Sequence, residues 1–289
     1  MGTLERRRVA ALAKKLQLAR FARRGSLHVV LLASAFVVFL PYLWMVTTSL
    51  KPIKLTFQPP YLIPHHFVWH NYVDAWHAAP FDRFYVNSAI MAIAISVGQV
   101  ITSALAAYAF DRLDFPFKNV LFFVFLGALM IPLPLLIIPS FVIVERFGWL
   151  NTFWALVVPR LWTPFGILLM RQYFRTLPRE LDDAAMIDGS TRLGVLFRVL
   201  LPLSRPAIAT LGLFAFLFAW NDFLWPLIVL DNPDKFTIQL GLANFAGKYG
   251  TQWVSLMAGT VTATLPVLVL FVLVQRWIIR GLTLGAINE

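Results

Sequence analysis

The chain has 289 residues, 59% of them hydrophobic and only 13% charged, with a formal net charge of +11. Mean hydropathy is +0.73, whereas an ordinary soluble domain is about 25% charged, so length and composition together point to one integral membrane domain and away from a soluble enzyme. Cysteine is absent, which removes disulfides and thiolate metal sites.

A helix rises about 1.5 Å per residue and must cross about 30 Å of hydrocarbon, so roughly 20 mainly apolar residues make a span. Residues 1–26 come first, as a basic cytoplasmic segment carrying Arg6, Arg7, Arg8, Lys14, Lys15, Arg20, Arg23 and Arg24. Within it Val9, Leu12, Leu16 and Ala19 recur at helical spacing, as in a helix lying on a membrane surface; a solvated basic tail accounts for the same pattern. The basic start also looks like a secretory signal, but the apolar run continues through Ala33-Ser34-Ala35 to Trp44 without a polar break and reads as a retained span.

Residues 27–280 hold six predicted spans, Leu27–Ser49, Val86–Phe110, Val120–Val144, Thr152–Met170, Pro206–Leu230 and Val254–Val274, and residues 281–289 form a tail. Lys and Arg concentrate on cytoplasmic flanks. With the N-terminus inside, six crossings place Arg112, Lys118, Arg171, Arg175, Arg179, Arg192, Arg198, Arg205, Arg276 and Arg280 inside too. Both termini are therefore expected in the cytoplasm of an all-α membrane protein. The basic excess sits beside the spans, where it attracts anionic lipid headgroups, and argues against nucleic acid as a partner.

The loop from Lys51 to Tyr85 is expected outside. It holds His65, His66, His70 and His77, and a helix there would bring His66 and His70 to one face. No carboxylate cluster or Cys completes a ligand set, so packing is preferred and no metal site is assigned.

Charges within spans are costly and face a cavity or a partner. Arg160 lies between Pro159 and Pro164 in the fourth span, and Trp220, Asn221 and Asp222 lie in the fifth. Aromatic faces suit the C–H surfaces of sugars, and amides or carboxylates suit their hydroxyls, so these four are candidates for lining a translocation pathway. Pairing of Asn221 and Asp222 with a neighbouring helix, or a place near the external interface, is the competing reading. Pro132, Pro134, Pro139, Pro226 and Pro266 interrupt the spans, as helices around a gated cavity permit.

Between the fourth and fifth spans, residues 176–202 form a polar island that includes Arg179, Glu180, Asp182, Asp183, Asp188 and Arg192. Pro178 suits a helix start, and Glu180, Asp182 and Asp183 complement the dipole of its first turns. Ala184 and Ala185 leave a low surface for another protein. Gly189 admits the left-handed conformation that stops the helix, and Asp188 or Ser190 can cap the next one. In that second helix Leu193, Leu196, Phe197 and Leu200 fall on one face, and Pro202 ends it. The expected product is a short helix-turn-helix.

Asp183-Ala184-Ala185, two residues, Asp188-Gly189-Ser190, eight residues and Val199-Leu200-Leu201-Pro202 resemble the cytoplasmic loop of ABC-importer permeases. The family pattern has Glu at the position of Asp183 and Ala at that of Ser190. Asn71-Tyr72, Asn87-Ser88, Ala107-Tyr108-Ala109-Phe110, Trp220-Asn221-Asp222, Gln275-Arg276 and Gly281–Ala286 look like marks of its carbohydrate-uptake, maltose-type branch. The resemblance implies that Glu180, Leu181, Asp183, Ala184, Ala185, Asp188, Gly189 and Ser190 belong to a coupling helix-turn-helix seated on a separate ATPase dimer. It also implies a second permease subunit, an extracytoplasmic solute-binding protein, and a place in a bacterial or archaeal plasma membrane. No Gly-x-x-x-x-Gly-Lys-Ser/Thr loop occurs, so the chain is expected to be a translocation subunit rather than an enzyme, with no cofactor of its own and ATP and Mg on the partner. An ion-gradient-driven secondary transporter is the alternative; it would show internal repeats and mid-membrane ion ligands.

Overall fold

A computed structural model describes residues 3–59, 63–247 and 250–285, and leaves the side chains of residues 3–20, 22, 23, 250 and 278–285 undescribed. The amphipathic pattern predicted over Val9–Ala19 therefore lies outside the described side chains, as do the side chains of Gly281–Gly285 and all of residues 286–289.

Helix α1 (Thr3–Ser49) is followed by α2 (His70–His77), α3 (Phe81–Arg112), α4 (Lys118–Ala128) and α5 (Leu133–Arg146). Next come α6 (Phe153–Val157), a 3-10 turn at Val158–Arg160, α7 (Pro164–Arg175) and α8 (Glu180–Ile187). Helix α9 (Arg192–Val195) runs through a π-helical turn (Leu196–Leu200) into α10 (Leu201–Leu203). The chain closes with α11 (Arg205–Trp220), α12 (Leu224–Val229), α13 (Ile238–Ala243), a two-residue antiparallel pair β1 (Ala246–Gly247) and β2 (Gly250–Thr251), and α14 (Trp253–Gly285).

Three stretches are continuous, long and apolar enough to cross a membrane: Arg24–Ser49, Phe81–Arg112 and Trp253–Trp277. Three others qualify only as bent pairs. The predicted third span is two helices meeting at 103°, because Ile131-Pro132-Leu133-Pro134 cannot continue a helix from α4. The fourth bends by 43° at Arg160–Pro164. The predicted fifth span ends as α11 at Trp220, with Asn221 as the C-cap, and resumes only briefly in α12. An 83° bend at Ser204 separates α11 from α9–α10. Proline alone does not break these helices, for α5 continues through Pro139 and α14 through Pro266.

Helix α3 is the axis, packed by α11 and α7. Lipid is as apolar as a leucine side chain, so helices associate by close fit and small residues matter. A methyl group on Gly166 of α7 would strike Ser103 of α3, and one on Gly98 of α3 would strike Leu161. Among the described residues two large cores lie along α3, with a smaller one around Phe110, Phe122 and Ile167. The one at its Phe81 end joins Phe84, Met91, Ile95, Trp220, Trp225, Val229 and Ile238. The other joins Ala104, Ala107, Tyr108, Met170, Phe174, Val195, Leu196 and Leu200 toward Arg112. Residues 24–41 of α1 are exposed, and its far end leans on α14.

Candidate functional site

Helix α8, the turn after it and α9 form the knuckle expected from the polar island. Glu180, Asp182 and Asp183 occupy the first turn of α8. Gly189 takes φ +86°. The Ser190 N–H donates to Ala185 O and the Gly189 N–H to Met186 O, the paired bonds of a left-handed helix stop. The cap of the next helix is neither Asp188 nor Ser190: Thr191 Oγ1 accepts from the Gly194 N–H at 3.1 Å. A hydroxyl two residues past the left-handed glycine reaches that donor, whereas Asp188 is still the C-cap of α8.

Glu180, Leu181, Asp183, Ala184, Asp188 and Gly189 are exposed, while Ala185 and Ser190 are half-buried. Ile187 is 86% exposed at the tip, and Leu193 and Phe197 are exposed beside it. The single apolar face predicted for Leu193, Leu196, Phe197 and Leu200 is split, since Leu196 and Leu200 are fully buried with Val195. The π-helical turn rotates the side chains after Val195, and that rotation separates the two pairs.

The root of the knuckle is a buried charge cluster that the sequence reading missed. Arg112 Nε lies 2.9 Å from Asp182 Oδ2 and 3.4 Å from Asp111 Oδ2, and the Arg112 side chain is only 5% exposed. The same guanidinium donates to Phe174 O at 3.1 Å and Leu177 O at 2.8 Å, just where α7 ends. Arg179 donates to Asp111 O in the last turn of α3 at 3.2 Å. Burial pushes the Asp182 carboxyl above its ordinary value, Arg112 pulls it back, and Asp183 adds to the rise. Asp182 is buried while its neighbour Asp183 is exposed. Among the described residues Asp183 enters no ion pair, so the acidic residue at the family's Glu position is open to a partner.

Of the four residues expected within spans, Arg160 and Asp222 meet where two helices break. Arg160 donates to Asp222 Oδ2 at 3.3 Å, so Asp222 takes the pairing with a neighbouring helix that competes with a pathway role. The guanidinium also stands 5.2 Å from the Phe218 ring centre and 5.8 Å from that of Trp225. Asp222 Oδ1 accepts the Trp225 N–H in the first turn of α12 at 3.3 Å. Carbonyls freed by the break before α7 are taken by α3: Gln99 donates to Arg160 O at 2.8 Å and Thr102 to Leu161 O at 2.7 Å. Irregular backbone at membrane depth requires such donors. Asn221 is exposed, with its side chain 3.5 Å from that of Gln239. Trp220 does not share this surface. It is 2% exposed, stacks on Phe216 and donates its indole N–H to Ala263 O, so it is a packing residue between α11 and α14.

At the Phe81 end the paired polar residues hold backbone. Asn71 donates to Ser49 O and Lys51 O, and Tyr72 shares a 2.7 Å hydrogen bond with Ser49, fastening α2 to the end of α1. Asn87 donates to Asp234 O and Phe236 O, and Ser88 accepts the Ile238 N–H. His66 precedes α2, which begins at His70, so the two do not share a helix face; His70 instead pairs with Asp74 at 3.1 Å. Among the described residues no group of His, Asp or Glu is arranged to hold a metal ion.

Residues 99–284 match the family described as "Binding-protein-dependent transport system inner membrane component". The chain is 35% identical over 262 residues to the arabinooligosaccharides transport system permease protein AraQ of Halalkalibacterium halodurans, covering 88% of this chain and 92% of that protein. It is 34% identical over 264 residues to the sn-glycerol-3-phosphate transport system permease protein UgpE of Pectobacterium atrosepticum, covering 88% and 94%. Among solved structures, a chain of a bacterial ABC transporter involved in import of the acidic polysaccharide alginate superposes with a TM-score of 0.79, covering 88% of this chain and 96% of that one at 22% identity. That last likeness is one of fold.

Proposed function

The chain belongs to the binding-protein-dependent transport system inner membrane component family, and from that membership we propose that it is the six-span permease subunit of an ATP-driven importer. Its cargo is a sugar or sugar-like solute delivered by an extracytoplasmic binding protein, in keeping with relatives named for arabinooligosaccharides and sn-glycerol-3-phosphate. Both termini and the α8–α9 knuckle face the cytoplasm, a second permease completes the pathway, and ATP and Mg2+ are held by a partner ATPase dimer.

The observation that carries this reading is the knuckle. It projects exposed Leu181, Ala184, Ile187 and Asp183, while its root is buried under α3 and α7. A surface apolar at its tip and anchored at its base suits a partner that must move it. In the proposed cycle ATP binding draws the ATPase subunits together, the knuckle follows, and the spans open outward to receive cargo. Hydrolysis returns them inward, each nucleotide state acting only through its different affinity for the two conformations. Arg160, Asn221 and Asp222, at facing helix breaks, line the pathway from this chain's side.

Purification of the assembled transporter tests the reading. An ATPase should accompany the parental chain, and Gly189→Trp, which places a large side chain at an exposed left-handed turn, should leave insertion intact while separating ATP hydrolysis from uptake. Uptake equal to that of the parent would refute the coupling role. For the pathway, Asp222→Ala should change uptake with assembly preserved; an unchanged rate would remove the Arg160–Asp222 pair from it.

A further inference from the structure

Arg112 has no part in the coupling surface, yet three helix ends converge on it. It is the last residue of α3, it satisfies carbonyls at the close of α7, and it pairs with Asp182 in the first turn of α8. Arg179 returns the contact from the start of α8 to the last turn of α3. The final carbonyls of a helix have no partner within it. Here they are satisfied by a side chain that also holds the neighbouring helix.

The second half of the knuckle is attached differently. Val195, Leu196 and Leu200 pack on Ala104, Ala107, Tyr108, Met170 and Phe174 through an apolar cluster, with a single hydrogen bond beyond it among the described residues, from the Tyr173 hydroxyl to Leu203 O at 3.3 Å. Apolar attraction is non-directional, so such a contact permits sliding. The first half is held by charge: Arg112 donates from its terminal nitrogen to the two carbonyls at the close of α7, its Nε faces Asp182 as an ion pair without a hydrogen bond, and Arg179 donates to Asp111 O. Charge-assisted hydrogen bonds are stronger and fixed in geometry, and a guanidinium presents its donors in a rigid planar fork that a lysine ammonium does not reproduce.

We infer that Arg112 is the positioning residue that makes α8 a rigid continuation of α3 and α7, so that displacement of the knuckle is delivered to those two helices rather than absorbed at the joint. This rests on the coupling role proposed above.

Arg112→Lys keeps the charge that compensates Asp111 and Asp182 but removes the fork. Hydrogen exchange on the full assembled transporter reads both parts of the inference. Amides of α8 should exchange about tenfold faster in the variant with the rest of α3 and α11 unchanged. Adding ATP and Mg2+ should alter exchange in α3 and α7 of the parental complex, and in the variant the alteration should stop at α8. Unchanged α8 protection overturns the fastening. A nucleotide response that reaches α3 and α7 equally in both proteins, or in neither, overturns the delivery. Should Arg112→Lys fail to assemble, Asp182→Leu, which leaves Asp111 to neutralise Arg112, is read by the same two criteria. Absence of an ATPase on α8 would instead sink the coupling proposal and leave the α8 exchange result standing.

Discussion

At the Phe81 end of α3 the fastenings are neutral side chains bonded to backbone: Asn87 to Asp234 O and Phe236 O, Ser88 to the Ile238 N–H. At the Arg112 end they are ionic and buried, with Arg112, Asp111 and Asp182 closed off together. A neutral hydrogen bond nets about 0.5–1.5 kcal/mol and can be lost singly. A buried ion cluster repays its desolvation only while complete, and removal of one partner leaves uncompensated charge. The first chemistry suits a brace, where each strut acts alone. The second suits a joint centred on Arg112, whose loss leaves both carboxylates uncompensated.

The largest effect expected is that of Arg112→Ala, which strands two buried carboxylates and should cost about 3–5 kcal/mol, read as loss of assembled protein or a steep fall in detergent unfolding temperature. Asn87→Ala should cost about 1–3 kcal/mol in the same assay by leaving its carbonyl partners unpaired. Equal costs for the two would break the contrast. Gly189→Ala adds only backbone strain, since φ is +86° and a methyl there meets nothing; about 1–2 kcal/mol is expected, with the effect on unfolding rather than on assembly.

The smallest effect is one of pH. Because burial holds the Asp182 carboxyl above its ordinary value, its contribution to stability is present below the ordinary carboxylate range and is lost as pH rises through the elevated value. Asp182→Asn should therefore flatten the unfolding-temperature profile from the ordinary carboxylate range upward. It should also be far milder at neutral pH than Arg112→Ala, because it removes a charge that burial disfavours. A variant profile parallel to that of the parent would show that Asp182 carries no such slope.

Much of the local design was legible along the chain. Gly189 stops α8 because a residue without Cβ is the natural occupant of a left-handed turn, and hydropathy marked apolar runs that the helices largely follow. Arg112 was read only as a charge that orients the membrane topology, since its partners lie about α7 and α8, far along the sequence, and a basic residue at a span end has an ordinary explanation. Trp220 misled for a related reason. Beside Asn221 and Asp222 it resembles a sugar platform, but helix rotation turns its indole toward Ala263 and leaves Asn221 at the surface. The Leu193–Leu200 face failed because a π-helical turn shifts the period after Val195, and periodicity arguments assume an unbroken helix.

By itself the sequence determined membership of a lipid-embedded helical class and the place of the polar knuckle, because apolar length, net charge and motif spacing are properties of the chain read in one dimension. Only the tertiary structure decided that two helix breaks would meet through Arg160 and Asp222, that three helix ends would share Arg112, and that Trp220 would pack inward. Those outcomes depend on which donors and acceptors reach one another after helices have bent and rotated, and in a medium without water each freed backbone group must find its partner from a distant part of the fold.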